Sequence, residues 1–377
     1  MRVARRFYFV AGEASGDEHG AALMRALLRI APDCDFHGRG GPRMQALAGP
    51  GFNNWIDAAA VVGIWEVVRR YPYFRKQFDE TLREIAAAQP DAVVLIDYPG
   101  FNLRLARTLR ARSPRTKIIY YISPQVWAWN RGRIAQMAGY LDLMLCIFPF
   151  EAELYNASGL RTIFVGHPMI ENLAQRRTAE SRDPNLVGLF PGSRSREVKK
   201  IFPIMLEAAA EIVRQRPEAR FEIAAASEPL AREMARITDA ISIGDQLRIV
   251  TADSSGTMQR VSAGMVASGT ATLESAYFRM PFVLVYKVSW PTYFAARIVM
   301  QTKFLGMPNV LAGREIVPEF LQHEARPRAI ASAILKLMDD RSARETMISE
   351  FDAVIEKLGE TGASEKAARA ILNELQP

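Results

Sequence analysis

Two Rossmann-like, doubly wound α/β domains facing across a cleft are predicted by this sequence on three observations. Short β-rich runs alternate with helical patterns through the first half, the alternation restarts after a polar stretch near residue 180, and 377 residues exceed one ordinary core. The first-half runs are residues 6–10, 91–96, 117–122, 143–148 and 162–165. Helical patterns separate them; in residues 21–30, Ala22, Leu23, Ala26, Leu27 and Ile30 share one face. Strands this apolar suit a parallel sheet covered on both sides. Residues 171–184, with Gln175-Arg-Arg177 and Ser181-Arg-Asp-Pro184, read as a linker. Strands are then expected at 186–190, 221–225, 248–250, 264–267 and 282–286, and a helix over 197–214. The expected division is 1–180, 181–345 and a charged helical tail at 346–377. Paired units of this kind bind ligands in the cleft at the carboxyl ends of their strands.

A content of 49% hydrophobic and 24% charged residues describes a folded chain, which excludes a disordered tether. The longest apolar stretches, such as residues 58–65, fall short of the roughly 18 residues of a membrane span. The N-terminus shows no signal-peptide pattern, so a cytosolic chain is expected. Two cysteines, Cys34 and Cys146, and four scattered histidines make neither a disulfide framework nor a metal cluster, so no metal is expected. A net charge of +7 favours anionic partners such as nucleotides, phosphorylated lipids or membrane surfaces. No Lys/Arg run marks a nucleic-acid face.

The stretch Ala11-Gly-Glu-Ala-Ser-Gly-Asp-Glu-His-Gly20 follows the first strand. Ser15 and Glu18 have capping-box spacing, and Asp17 falls in the first helical turn. Gly12 and Gly16 miss the Gly-x-Gly-x-x-Gly spacing of a dinucleotide site. Glu13, Ser15, Gly16 and Asp17 remain as cleft-facing candidates, and Glu13 is a candidate base. Asp97 ends the strand 91–96 ahead of Tyr98-Pro-Gly100, where a carboxylate serves either as a general base or as an Asx-turn cap. In Ser123-Pro-Gln-Val-Trp-Ala-Trp129, Gln125 and Trp127 either line the cleft or pack into the core. His167 touches a ligand or satisfies a hinge.

The second half carries three loops of interest. In Pro191-Gly-Ser-Arg194, Gly192 and Ser193 would present amides at a helix N-terminus, and Arg194 would neutralise a departing diphosphate. The alternative is a plain turn with Ser193 as N-cap. In Ala267-Ser-Gly-Thr-Ala-Thr-Leu-Glu274, the small residues Ser268, Gly269, Thr270 and Ala271 leave room for an anion. Glu274, one turn into a helix expected over 273–279, is placed for a ribose diol, or is a surface glutamate near the positive helix end. Met307-Pro-Asn-Val-Leu-Ala-Gly-Arg314 offers the Asn309 amide and the Arg314 guanidinium.

Residues 61–76 place Ile64, Trp65, Val67, Val68, Tyr71 and Phe74 among Arg69, Arg70, Arg75 and Lys76. That pattern describes either a surface seated in lipid headgroups or a core helix with snorkelling arginines.

On the stretches 11–17, 41–44 (Gly-Pro-Arg-Met), 123–129, Gly166-His167, 191–194, 267–274 and 308–314, the chain resembles the lipid-A-disaccharide synthases, a family of inverting glycosyltransferases. The matching stretches keep the family's order over most of the chain; Tyr98-Pro-Gly100 and Gly38-Arg-Gly-Gly41 depart from it. The resemblance implies the glycosyltransferase B fold, with a UDP-sugar held by the C-terminal unit and a lipid acceptor by the N-terminal one. It implies coupling of UDP-2,3-diacylglucosamine to 2,3-diacylglucosamine 1-phosphate through a β-1,6 bond, releasing UDP, without cofactor or metal. It places Arg194, Glu274 and Asn309 at the donor and Asp97 at the base. Peripheral attachment to the cytoplasmic face of the inner membrane is expected from it. So are C-terminal helices that pack on the N-terminal domain, with exchange between two subunits of a homodimer left open. A UDP-sugar epimerase of the same architecture and a non-catalytic nucleotide-binding protein are the competing readings.

Overall fold

The computed structural model describes residues 5–56, 71–238, 244–290, 293 and 300–376. The chain divides into two units, Met1–Pro168 with Leu358–Pro377, and Met169–Lys357.

The first unit is built on β1 (Arg6–Ala11), whose residues are buried from Phe7 onward. Its sheet adds β2 (Asp35–Gly40), β3 (Asn53–Asn54), β4 (Ala92–Ile96), β5 (Lys117–Tyr121), β6 (Leu143–Cys146) and β7 (Thr162–Phe164). The order is β3-β2-β1-β4-β5-β6-β7 and every pairing is parallel. The chain moves outward from β1 through β2 and β3, then returns to lay β4 on the other side of β1. That reversal makes the carboxyl ends of β1 and β4 the topological switch point, where doubly wound sheets bind ligands. Helix α1 (Ala14–Ile30) buries Leu23, Met24 and Leu27 against Phe7, Phe9 and Ile96. The same core takes in Ala367, Ala368, Ile371 and Leu372 of the terminal helix Ala363–Glu374. Glu374 secures that helix, accepting from Lys117 at 2.9 Å and Arg161 at 2.8 Å.

The second unit contains β8 (Asp183–Phe190), β9 (Arg220–Ala225), β10 (Leu247–Thr251), β11 (Val261–Ala267), β12 (Phe282–Tyr286) and β13 (Glu319–Leu321). Their order, β10-β9-β8-β11-β12-β13, again all parallel, puts the switch point between β8 and β11. The helix Ser195–Gln215 buries Val198, Ile201, Phe202 and Met205, and packs on the helix Pro327–Asp339. The helix Arg341–Lys357 stays in this unit through Met347, Phe351 and Val354, with Phe351 stacked on Phe282 at 5.5 Å. Of the tail expected at 346–377, only the part from Leu358 therefore belongs to the first unit.

The polar stretch 171–184 lies inside the second unit and is solvent-exposed from residue 174 to 181. It forms the end of the helix Met169–Ala174, an irregular run, and the start of β8. It is held at two points: the Arg182 side chain donates to the Met258 and Val261 carbonyls at 2.6 Å each, and the Thr178 backbone N–H donates to the Gln259 side chain at 2.7 Å. Burial lowers the Arg182 guanidinium to about 10. Strands β2 (DFHGRG), β3 and β13 escaped the sequence reading because glycine-rich or two- to three-residue strands carry no β-branched run.

Among the described residues, no helix is long and apolar enough to cross a membrane. Ile64, Trp65, Val67 and Val68 lie outside the described residues, as does the side chain of Tyr71. Phe74 is half-buried on the helix Tyr71–Ala88, with its ring edge-on to Tyr73 at 5.4 Å.

Candidate active site

In the first unit, Ala11 pairs with Ile96, so Gly12-Glu13 and Asp97-Tyr98 leave the sheet side by side at the switch point. Asp97 and Tyr98 both hold left-handed backbone, at φ 44° and 50°. For residues with a Cβ that costs about 1–3 kcal/mol each and persists only where surroundings impose it. Here the Asp97 amide donates to the Tyr121 carbonyl at 3.0 Å. Its own carbonyl accepts from the Tyr120 hydroxyl at 2.5 Å and the Asn102 amide at 2.7 Å. Neither Tyr120 nor Asn102 was singled out in the sequence, since neither carries a local signature. Gly12 is required because a Cβ there would lie 2.4 Å from the Tyr98 ring.

This backbone clamp aims the Asp97 carboxyl toward Glu13. Burial, and then the Glu13 charge, raise Asp97 to about 6, opposed by the Tyr98 amide donating to it. Burial and Glu13 also raise the Tyr98 phenol to about 12. Glu13 itself is exposed, at the N-cap of α1. A half-buried carboxyl that titrates near neutrality, beside a second and solvated carboxylate, is arranged for general base work. That favours Asp97 over Glu13. Ser15 is exposed beside them, while Gly16 packs on Ala11 and lets α1 lie close to the sheet.

In the second unit, Phe190 pairs with Val266, so the loops after β8 and β11 also emerge together. Gly192 turns with φ 107°, and Arg194, not Ser193, occupies the N-cap of the helix Ser195–Gln215. The helix thus starts two residues earlier than expected. Ser193 and Arg194 are exposed, and Arg194 contacts Glu197 at 3.3 Å. Gly269, at φ 141° and ψ −162°, caps the helix Thr270–Tyr277 in a conformation restricted to glycine, with no atom within 4 Å of the Cβ it lacks. Ser268, Gly269, Thr270 and Ala271 therefore open to solvent or are half-buried beside Arg194's loop. Two helix N-termini thus follow adjacent strands, with the exposed Arg194 at the first of them, an arrangement suited to a diphosphate. One turn on, Glu274 is half-buried, and burial raises its carboxyl above the ordinary value while Arg176 partly offsets the rise.

A family model described as lipid-A-disaccharide synthetase matches residues 7–372. The lipid-A-disaccharide synthase of Geobacter sulfurreducens is 37% identical over 385 residues, covering 99% of this chain and 98% of that one. The enzyme of the same name from Myxococcus xanthus is 37% identical over 388 residues, with the same coverage. The chain belongs to the lipid-A-disaccharide synthase family. It is a glycosyltransferase. Solved structures agree on the fold alone. A co-structure of S. aureus MnaA with UDP superposes with a TM-score of 0.63 at 12% identity, covering 98% of this chain and 97% of that one. The calicheamicin glycosyltransferase superposes at 0.59 with 14% identity, covering 100% and 99%. UDP-GlcNAc 2-epimerase from Methanocaldococcus jannaschii superposes at 0.61 with 10% identity, covering 98% and 99%. The epimerase reading rests on that shared fold, whereas the whole-chain family match is to the synthases.

Within the lipid-A-disaccharide synthase frame, several residues expected at the substrates prove to be structural. Asp17 is buried and turned away from Glu13, accepting from the amides of Gly41, Arg43 and Met44 at 3.0 Å each. It caps the helix Pro42–Ala48 from a distance, so its acceptor-side reading is replaced by a positioning one. Asp17→Ala would strand two buried amides and lower stability by about 2–3 kcal/mol, read as a shifted urea midpoint at unchanged slope. The capping box of Ser15 and Glu18 is likewise replaced: α1 begins at Ala14, and Glu18 pairs with Arg43 at 3.3 Å. Trp127 is core, donating to the buried Glu151 at 2.8 Å, and burial pushes that carboxyl up to about 7. Gln125 is exposed. His167 is buried against Phe148, lowered to about 3 by burial and then by His19, and its amide donates to the Leu358 carbonyl at 2.9 Å. It serves the return of the chain to the first unit.

Asn309 is also reassigned. Its amide donates to the Val317 carbonyl and Glu319 at 2.8 Å each, and its oxygen accepts from Ile316 and Val317 at 2.8 and 2.9 Å. With both ends of the side chain satisfied and no exposed surface, Asn309 organises the 313–319 loop. Arg314 is exposed and ion-paired with Glu350. No group of three His, Cys, Asp or Glu side chains able to hold a metal occurs among the described residues.

Proposed function

We propose that the chain transfers 2,3-diacylglucosamine from UDP-2,3-diacylglucosamine to the 6-hydroxyl of 2,3-diacylglucosamine 1-phosphate, with inversion, releasing UDP. Inversion is a direct displacement. Asp97 takes the proton of the acceptor hydroxyl as its oxygen bonds the anomeric carbon, and the bond from that carbon to the diphosphate oxygen breaks. Glu13 keeps Asp97 basic enough for that transfer. Negative charge growing on the diphosphate is met by Arg194 and by the amides of Gly192, Ser193 and the Ser268–Ala271 turn. Glu274 accepts from the ribose hydroxyls, and Arg314 supports the donor loop. The observation that carries this reading is the carboxyl of Asp97, clamped in strained backbone at a switch point and shifted to about 6.

Incubating the protein with donor alone and with donor plus acceptor tests the proposal. Disaccharide and UDP should form only with both; conversion of the donor alone would make the chain an epimerase.

Peripheral membrane contact through residues 61–76, on the cytoplasmic face, is part of the same proposal. Its supports are the apolar-and-basic composition of that segment and the acyl chains of both substrates. Replacing Trp65, Val68 and Phe74 by serine should reduce co-sedimentation with anionic vesicles while the melting curve stays put. Equal sedimentation of variant and parent would refute it.

A further inference from the structure

A cavity of about 490 Å³ opens in the second unit where β12 and β13 end. Its wall is mainly apolar, formed by Tyr286, Val288, Met300, Phe304, Leu305 and Leu321, while its charged groups, Lys303 and Glu324, are exposed. The polar groups nearest its floor are paired with each other. The Gln322 amide accepts from the Val288 N–H at 3.2 Å and donates to the Val288 carbonyl at 3.3 Å. That pairing continues the β12–β13 ladder past Tyr286 and Leu321 and takes up the Gln322 side chain and the Val288 backbone.

The strand register ties this cavity to the diphosphate loops. Ala267 pairs with Val285, and Tyr286 pairs with Leu321. Ser268, the first residue past β11, therefore lies level with Tyr286 on β12 and Leu321 on β13, neighbouring strands being about 5 Å apart. Tyr286 is also close enough to Arg194, Arg196 and Glu197 for their charges to act on its phenol. The apolar space begins where the proposed diphosphate contacts stop.

We propose that this cavity takes an acyl chain of the nucleotide-sugar donor, so that the second unit reads the lipid part of the donor as well as its diphosphate. The inference rests on the donor assignment made above. A UDP-sugar with no acyl group has nothing apolar to offer this wall. An acyl chain attached to the sugar lies a few bonds from the diphosphate, within reach of a pocket that starts one strand away. Each methylene that such a chain buries multiplies affinity by about fourfold.

The test uses the full chain and measures Kd for UDP and for UDP-diacylglucosamines of two acyl lengths, each below its micelle concentration. Val288→Trp fills the cavity and Leu305→Gln makes its wall polar, so the second keeps the measurement informative should the first not fold. Both variants are expected to bind UDP within about twofold of the parent while losing at least about tenfold on the longer donor. The gain in affinity from short to long chain, present in the parent, should shrink in both. A folded variant that keeps the parent's dependence on acyl length would overturn the inference. So would equal weakening for UDP and for the acylated donors. Failure of the parent to make disaccharide would count against the proposed reaction instead, since the acyl-length comparison reads binding alone.

Discussion

Asp97→Asn should lower kcat by about 10²–10⁴-fold while Kd for UDP changes by less than about twofold. The amide keeps the size of the side chain and the clamp made by Tyr120, Asn102 and Tyr121, because those bonds go to the Asp97 backbone. Only the capacity to accept a proton is lost. The parent should also show a pH dependence of defined sign. Asp97 is raised to about 6, so kcat/KM should climb as pH rises through that value and level off above it. Glu13→Gln removes one of the two causes of the rise, and the midpoint should move to lower pH with kcat largely retained. If Glu13 were the base, Glu13→Gln would abolish turnover and Asp97→Asn would only shift the profile. Full turnover in Asp97→Asn would remove Asp97 from the mechanism.

Arg194→Ala should weaken UDP binding by about 10–100-fold, the worth of one or two charge-assisted hydrogen bonds to phosphate. Its contact with Glu197 is exposed and long at 3.3 Å, so losing it should leave stability within about 0.5 kcal/mol. Stability and affinity therefore separate in this variant. Arg194→Lys should recover part of the binding, since a point charge replaces a planar fork. The loss should shrink in high salt, because screening weakens the parent's contact as well. An unchanged Kd in Arg194→Ala, by titration at low salt, would dismiss the donor assignment of this loop.

Most strands and the doubled α/β pattern were legible because buried parallel strands are continuous apolar runs. RFYFVA, AVVLI and FVLVY show this without any knowledge of neighbours. Strand β2, with the sequence DFHGRG, was not, since it becomes a strand only by pairing with β1. The polar stretch near residue 180 is exposed as its composition suggests, but its anchor points were not legible, for a related reason. Arg182 and Thr178 are polar in composition yet are held by backbone and side-chain partners some 76 to 96 residues away. Local composition cannot distinguish an anchored arginine from a solvated one.

What the sequence by itself determined was the presence of Glu13, Asp97, Arg194 and Glu274 at strand ends or helix starts. Strand ends and caps are local events, set by where an apolar run stops and a glycine or carboxylate follows. The tertiary structure decided which of the acids titrates near neutrality and which of the candidates are free to meet a ligand. Asp17 and Asn309 looked as chemical as Asp97 in one dimension, but folding turned each onto backbone partners 7 to 27 residues away. Asp97 differs because folding clamped its backbone and left its carboxyl facing another negative charge. Desolvation and the spacing of charges are properties of three-dimensional neighbours, and these set the pKa and the hydrogen-bonding capacity on which catalysis depends.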